Sequence, residues 1–561
     1  MSSTASWRSA HRRAARLPML RERASRRRGA LAVLLHVAQC AWCQPAPERI
    51  HLLAHDAAQA APDPAAPYDE RGWLDRFYSE RGFTNAWTAA TAAQALDLLG
   101  RAGEHGLPTR ADDMRVLAAR MHAQGVATAD DASDQDAALT LAMLRYLADL
   151  HAGQVRSAFA PGRTVDPVAL LAPALRNGDL AGAVDAAAPQ LVLYGRLKAL
   201  LASYRTLALA PTAPLAAVAP GAPYRDAHAL AARLALLGDL APELANTPDD
   251  AGSTELALAV ARFQERHGLA ADGRLGRQTV AALNVPLAAR VRQIELSLER
   301  LRWLPNLSGG PFIAINLPSF RLWAFTKVDA APALASRVIV GKSVRTQTPL
   351  FTGTLRYIEF NPYWNVPPSI LRGEILPALL RDPHYLVKND MEVAGTGAQQ
   401  VDAATLAALP AGKLSVRQRP GPRNALGNIK FGLPNAMNIY LHSTPARALF
   451  TRARRDFSHG CIRVEDTEAL ANFVLDGQPS WTSAAVAAEL APGPTQTVPL
   501  KATMPVIIFY TTAMIDHDGQ ALFPDDVYGF DAALERSLED RNNRQKRAST
   551  HNNAQVQTML P

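Results

Sequence analysis

Two histidines and one cysteine lie within a single segment of the chain, LHSTPARALFTRARRDFSHGCIRV at residues 441–464. His442 stands nineteen positions before Cys461, and His459 stands two positions before it. A free thiol with a pKa of about 8.5 is mostly protonated at neutral pH, so a nucleophilic cysteine needs a partner that takes its proton or stabilises the thiolate. The segment is therefore a candidate for catalysis by a cysteine nucleophile and a histidine base.

The choice of base depends on the local structure that each histidine adopts. Ser458, His459 and Gly460 have the composition of a turn, whereas His442 ends a strand-like run. A histidine at a strand end can be brought across a sheet, so His442 is predicted to be the base. Gly460 would let the backbone approach a substrate closely, and the Cys461 N–H would then face a developing oxyanion.

Two other interpretations of the same residues stay open at this point. A zinc site could use His442, His459 and Cys461, but no fourth ligand follows at a recognisable spacing. Alternatively, Cys461 is a buried structural cysteine among hydrogen-bonded histidines. The residue types alone do not decide between a metal site, a buried thiol and a catalyst.

The elements around this segment are predicted to be strands. Runs such as RYIEFNPYWNV and NIYLH are rich in β-branched and aromatic residues and are separated by Gly, Pro and Asn. They predict a mostly β domain at 311–480, with a less regular insertion at about 373–427 and a C-terminal extension at 481–535. Trp364 lies in one of these runs, where an aromatic side chain more often belongs to the core than to a cleft.

The preceding part of the chain is predicted to be helical, which makes the protein multi-domain α+β. At 561 residues the chain exceeds what one hydrophobic core usually supports. Apolar positions spaced three and four apart predict an all-α domain at 65–206. The remaining predictions are a Pro/Ala-rich linker at 207–224, a compact helical unit at 225–286, a helical connector at 287–310 and a disordered tail at 541–561.

The N-terminus has the composition of an export signal. The formal net charge of +8 is concentrated in the arginine-rich residues 1–28, so the rest of the chain is close to neutral and no nucleic-acid partner is predicted. The apolar run that follows is shorter than the roughly 20 residues of a bilayer span. Residues 1–44 are therefore predicted to be an export signal, or alternatively an uncleaved anchor that attaches the protein to the inner membrane. Cleavage after Cys43 would leave Cys461 without an internal disulfide partner.

Two stretches resemble known families. RFQERHGLAADGRLGRQTVAAL resembles the three-helix peptidoglycan-binding module. The segment that carries His442 and Cys461 resembles the active-site motif of the L,D-transpeptidases with a YkuD-type catalytic domain, and RVIVGKSVRTQTPLF, YIEFNPYWNVPPSI and RQRPGPRNALGNIKF extend the likeness to the large branch of that family. The resemblance implies a helical scaffold domain, an embedded peptidoglycan-binding module and a mostly β catalytic domain with a capping insertion.

The resemblance also implies roles for individual residues. Cys461 would attack the acyl donor and His442 would take its proton. Ser443 would orient the imidazole through its backbone carbonyl, although this branch often has Asp there. The residues implied to support the oxyanion or the turn are Gly460, His459, Ser443 and Tyr440, and those implied to contact substrate are Arg463, Ser458 and Trp364.

A peptidoglycan L,D-transpeptidase of the periplasm or cell envelope is the function that the resemblance implies. It would link diaminopimelate residues of two stem peptides through a cysteine thioester, with no metal or organic cofactor. Its partners would be stem peptides and glycan, and a carbapenem would be a covalent inhibitor. An L,D-carboxypeptidase or hydrolase acting on the same peptides is the alternative within the fold, and a non-catalytic wall-binding scaffold is the alternative outside catalysis.

Overall fold

The computed structural model describes residues 47–59, 68–109, 128–157, 166–216, 224, 226–246, 254–307, 309–516 and 518–558. The predicted export signal at 1–44, with Cys40 and Cys43, lies outside these residues. Among the helices that are described, none has both the length and the apolar character needed to cross a membrane.

The N-terminal region is helical, as predicted. Its helices are Pro47–Gln59, Trp73–Ser79, Ala89–Gly100, Ala129–Ala152, Pro167–Asn177, Leu180–Ala187 and Val192–Leu207. Helix Ala129–Ala152 runs through the middle of the core, where Leu139, Met143 and Leu147 are fully buried. The first helix lies before the predicted start at residue 65 and packs into the same core through Ile50 and Ala54. The helical domain therefore begins earlier than its hydrophobic pattern indicated.

Three helices form the small module, at Ala227–Leu236, Thr254–Arg266 and Arg277–Leu283. Its motif residues meet at the buried side chain of Gln264. The Gln264 Nε2 donates to Asp272 Oδ1 at 2.9 Å and to Thr279 Oγ1 at 3.0 Å, and its Oε1 accepts from the Gly273 N–H at 2.9 Å. Gln264 thus ties the Asp-Gly turn to the last helix, which explains why these residue types occur together in the sequence.

Replacing Gln264 with alanine is expected to destabilise this module locally. The change leaves the Gly273 N–H and the Thr279 hydroxyl without their buried partner, at a cost of about 2–4 kcal/mol. Amide hydrogen exchange of the intact protein would show this as a lower opening free energy of helix Thr254–Arg266. The control is Gln278→Ala, because Gln278 is exposed on the neighbouring helix. Unchanged protection in Gln264→Ala would contradict the structural role of this side chain.

A long helix connects the module to the β-rich region. Leu287–Arg302 packs on helix Val192–Leu207 through Leu298 and Leu301. Its Glu299 accepts the Gln154 N–H and pairs with Arg302, which is fully buried. The three parts are therefore joined by a shared core.

The β-rich region contains a closed sheet. The strands among its described residues are β1 Phe312–Asn316, β2 Arg321–Phe325, β3 Leu334–Gly341, β4 Phe351–Phe360, β5 Trp364–Asn365, β6 Met391–Val393, β7 Val416–Gln418, β8 Ile429–Gly432, β9 Leu441–His442, β10 Asp456–Ser458, β11 Ile462–Val464, β12 Gln496–Phe509, β13 Met514–Ile515 and β14 Ala521–Leu522. In the large sheet the strands pair in the order β10-β3-β11-β9-β8-β4-β12-β1-β2, and β2 also pairs with β3, so the sheet closes on itself. Their side chains and helix Thr467–Val474 fill the interior with Ile, Val and Leu.

The insertion between β4 and β8 is a cap with its own core. Strands β5, β7 and β6 form a separate three-stranded sheet, and Leu371, Ile375 and Leu386 are buried against it. The helices of the cap are Pro368–Ile370, a π-helical turn at Leu371–Ile375, Leu376–Arg381, Tyr385–Lys388 and Ala403–Ala408. The cap starts with β5 at Trp364 and includes helix Pro368–Ile370, so it begins before the predicted insertion boundary at about residue 373.

The large sheet continues past the predicted domain boundary at residue 480. β12 pairs with β4 on one side and with β1 on the other, so it lies within the sheet and not in a separate extension. Its second half is a continuous apolar run, in which Val506, Ile507 and Ile508 are all buried. Helix Ser483–Glu489 connects this strand to the preceding part of the domain.

The predicted disordered tail at 541–561 is wrong over most of its length, because helix Phe530–Thr558 runs through it. Arg541 is buried, pairs with Asp149 of the scaffold at 2.7 Å and donates to the Gln154 carbonyl at 2.6 Å. Arg541 therefore joins the start of this segment to the scaffold through an ionic contact, which composition alone does not reveal.

Candidate active site

His442 and Cys461 lie on neighbouring strands. β9 and β11 run parallel, with His442 opposite Arg463 and Leu441 opposite Ile462. The ladder continues one step further, where the Ile462 N–H donates to the Tyr440 carbonyl at 3.1 Å. Because side chains alternate along a strand, Cys461 projects to the same side as His442, away from the apolar interior.

A row of charged side chains crosses the sheet at His442. Lys430 of β8 is its neighbour on one side and Arg463 of β11 is its neighbour on the other. Glu359 of β4 stands next to Lys430 and pairs with it at 3.3 Å. The imidazole is therefore flanked by two cations, and the more distant carboxylate is already paired.

The His442 ring is held by a backbone carbonyl. Its Nδ1 lies 2.6 Å from the Ser443 oxygen. A carbonyl only accepts hydrogen bonds, so Nδ1 carries the proton of the neutral ring, which is the tautomer whose Nε2 can accept a proton. Burial and the charge of Arg463 lower the pKa of His442 to about 3. The ring is thus a neutral imidazole whose orientation is fixed by the Ser443 carbonyl, and its Nε2 carries no proton.

The pH dependence of thioester formation is expected to follow from this lowered pKa. His442 stays unprotonated down to a pH far below the usual histidine value, so the acid limb of kcat/KM should lie below about pH 5 and not near 6.5. Rates of acyl-enzyme formation measured between acidic and neutral pH would show it. A limb near the ordinary histidine pKa would mean that the ring titrates freely in the protein.

Cys461 lies in a partly buried position. Burial raises the pKa of its thiol, while hydrogen bonds from the Tyr440 backbone and hydroxyl and the charges of Lys430 and Arg463 act in the opposite direction. The thiol also lies 3.5 Å from the Asn438 carbonyl. The resting thiol is therefore protonated, and the groups around it are those that would stabilise a thiolate once a base removes the proton.

The loop that carries Cys461 is held in shape by hydrogen bonds to its backbone. Ser458 Oγ accepts the Gly460 N–H at 3.1 Å and donates to the Cys461 carbonyl at 2.6 Å, and Thr348 Oγ1 donates to the Gly460 carbonyl at 2.7 Å. Gly460 has a φ of 120°, which only glycine adopts readily. Its N–H is used inside the loop, so Gly460 shapes the turn and does not offer an oxyanion donor in this state. Ser458 likewise faces the loop and not a substrate.

Tyr440, which the resemblance implied as support for the oxyanion, contacts the thiol itself. Its hydroxyl bonds to Cys461 and accepts the indole N–H of Trp364, and burial raises its pKa. The ammonium of Lys430 lies 5.2 Å from the centre of the Tyr440 ring. Trp364 packs at the edge of the cap core and is linked to Cys461 through Tyr440. Its side chain therefore belongs to both the core and the cleft wall.

Arg463 has spare hydrogen-bonding capacity. It is largely buried, which lowers its pKa, and its Nε has no hydrogen-bond partner among the described residues. A buried guanidinium donor without a partner is costly unless a ligand supplies one. This arrangement suits a carboxylate arriving beside Cys461.

His459 faces the cap. Its Nε2 lies 2.6 Å from Glu374 Oε1, on the π-helical turn of the cap. His459 therefore links the loop of Cys461 to the cap. Of the two histidines, His442 is the one that lies on a strand next to the strand after Cys461.

Three residues of this site did not stand out in the sequence. Thr348 and Glu374 contact the loop of Cys461 and Lys430 lies beside His442, yet each is of a common residue type with no motif of its own. Thr348 and Lys430 lie within RVIVGKSVRTQTPLF and GNIKF, which carry the family likeness, so those runs were the available signal. Glu374 is brought in by tertiary packing of the cap. No group of three or more His, Cys, Asp or Glu side chains among the described residues is arranged to hold a metal ion.

Comparison with known families agrees with this architecture. Residues 310–486 match the family model of the "L,D-transpeptidase catalytic domain", known as YkuD. Residues 72–201 match a "Scaffold domain", and residues 225–283 match a "Putative peptidoglycan binding domain".

One curated relative is a "Putative L,D-transpeptidase" of Haemophilus influenzae strain Rd. It is 34% identical over 277 residues, which cover 47% of this chain and 54% of the relative. The chain thus spans about half the length of the relative that it matches.

Proposed function

We propose that this chain, which contains a YkuD-type L,D-transpeptidase catalytic domain together with scaffold and peptidoglycan-binding domains, cross-links peptidoglycan stem peptides in the cell envelope. The observation that carries the proposal is the pairing of β9 with β11, which sets the oriented imidazole of His442 on the same face as the Cys461 thiol. The N-terminal export signal predicted from the sequence would deliver the protein to the periplasm.

The first half of the reaction forms a thioester. His442 Nε2 takes the thiol proton, and the sulfur attacks the carbonyl of the L-centre of diaminopimelate in the donor peptide. The Cys461–acyl bond forms while the peptide bond to the terminal D-alanine breaks, and the imidazolium returns its proton to the departing amine. The free guanidinium N–H of Arg463 is available for a donor carboxylate.

The second half transfers the acyl group. The side-chain amine of a second diaminopimelate attacks the thioester, so a C–N bond forms, the C–S bond breaks and the proton returns to the sulfur by way of His442. The cap over the cleft supports transfer over hydrolysis, since closure over the thioester limits access of water.

The test is incubation of the purified protein with a disaccharide-tetrapeptide, followed by mass spectrometry of the products. A cross-linked dimer with release of D-alanine is expected. Tripeptide and D-alanine without dimer would indicate a carboxypeptidase, and no turnover with retained binding to peptidoglycan would indicate a wall-binding scaffold.

A further inference from the structure

We infer that Glu374, held in place by His459, binds the positively charged amine of the acceptor stem peptide and so sets how the thioester divides between cross-linking and hydrolysis. The inference rests on the proposed function, because it names the feature of the same site that selects the acceptor.

The position of Glu374 supports this role. It lies on the π-helical turn Leu371–Ile375, where the cap meets the loop of Cys461, and its Oε1 accepts the His459 Nε2–H at 2.6 Å. The Glu374 side chain is 54% exposed, so a cation arriving from solvent can reach its carboxylate. His459 is two residues from Cys461 in the sequence, so this contact places the carboxylate next to the loop that carries the thiol.

The charges of the site distinguish Glu374 from its neighbours. Lys430 and Arg463 are cations beside the thiol and would repel an incoming ammonium. Other carboxylates are already neutralised by strong bases: Glu359 by Lys430 at 3.3 Å and Asp456 by Arg454 at 2.6 Å. No lysine or arginine pairs with Glu374 among the described residues, where its partner is the weaker base His459. Glu374 is thus the carboxylate beside the catalytic loop that retains attraction for a cation.

The chemistry of the acceptor explains why such a group is needed. An alkyl amine is mostly an ammonium at neutral pH, and water greatly outnumbers it in the cleft. Binding of the ammonium at Glu374 raises its local concentration beside the thioester. After one proton is lost to solvent, the neutral amine attacks the acyl carbon, the C–N bond forms, the C–S bond breaks, and the second proton passes through His442 to the Cys461 sulfur.

The experiment compares the ratio of cross-linked to hydrolysed product in wild type and in Glu374→Gln. The glutamine keeps an acceptor for His459 but removes the charge, so the ratio is expected to fall about tenfold or more. The matched control is Asp382→Asn, which removes a cap carboxylate that pairs with Lys388 and lies outside the contact with His459. Its ratio is expected to match that of wild type, and Glu374→Asp is expected to recover part of the lost cross-linking.

Hydroxylamine provides a second measurement, because it is largely uncharged at neutral pH. Its capture of the thioester relative to water is expected to be similar in wild type and Glu374→Gln, since no ammonium has to be bound. A fall as large as that seen with the diaminopimelate acceptor would mean that the substitution disturbs the cleft in general and would overturn the inference.

The remaining outcomes separate this inference from the proposed function. Equal ratios in wild type and Glu374→Gln, with dimer formed by both, would overturn the inference alone. Loss of thioester formation in Glu374→Gln, seen by mass spectrometry, would place Glu374 in the donor step and also overturn it. A wild-type protein that yields tripeptide only would overturn both proposals.

Discussion

Replacing Cys461 with alanine is expected to abolish thioester formation and to reduce D-alanine release by at least about 1,000-fold. The reason is chemical: the proposed reaction runs through a covalent thioester, and alanine has no sulfur with which to form it. The measurement is turnover of a disaccharide-tetrapeptide, with intact-protein mass spectrometry for the acyl-enzyme. A carbapenem adduct, located by peptide mapping, should lie on Cys461 in wild type and be lost in the variant.

The loop that surrounds Cys461 makes this substitution a clean test of chemistry. Its shape depends on Gly460, Ser458 and Thr348, whose hydrogen bonds use backbone groups and hydroxyls and not the thiol. Cys461→Ala should therefore keep the stability of wild type. An alanine variant with substantial cross-linking activity would show that Cys461 is not the nucleophile and would revive the wall-binding alternative.

The order and type of the domains were predictable because their signals are local. Helical periodicity around Leu139 and Met143 comes from one face of one helix, and the Asp-Gly turn of the small module is tied to Gln264 eight residues earlier. The strands near Phe360 and Leu441 are likewise predicted by their β-branched and aromatic residues. The comparisons with known families confirm this architecture.

Features that depend on contacts between distant segments were not predictable. The sequence predicts that β12 belongs to a separate C-terminal extension, and only its pairing with β1 and β4 shows that it lies within the sheet. Arg541 belongs to a polar stretch that resembles a disordered tail, yet its guanidinium is buried against Asp149 almost four hundred residues away. Composition describes the residues of a segment and not its tertiary contacts. The ion pair that holds Arg541 against the scaffold could therefore not be predicted from it.

The same limit applies to the site. Proximity in sequence favours His459 as the partner of Cys461, whereas the expected turn at His459, the strand end at His442 and the family resemblance favoured His442. The structure gives the physical reason for separating them: His459 turns its Nε2 to Glu374 on the cap, whereas His442 is fixed by the Ser443 carbonyl on the strand next to the thiol. The serine at 443 needs only its backbone for this contact, so an acidic side chain is not required to hold the ring.

Replacing His442 with glutamine is expected to lower the rate of thioester formation by about 100- to 10,000-fold. Glutamine can still donate to the Ser443 carbonyl, but it offers no basic nitrogen to the thiol. Burial raises the pKa of Cys461, so few molecules would carry a thiolate without that base. The measurement is the single-turnover rate of acylation by a donor peptide or a carbapenem.

His459→Gln is the comparison that identifies the base. Its loss in acylation rate should be far smaller than that of His442→Gln, because His459 points to the cap. In His442→Gln the remaining rate should rise with pH as hydroxide replaces the imidazole in forming the thiolate, whereas wild type should be nearly flat above about pH 5. A larger loss of acylation in His459→Gln, or a flat profile in His442→Gln, would transfer the role of base away from His442.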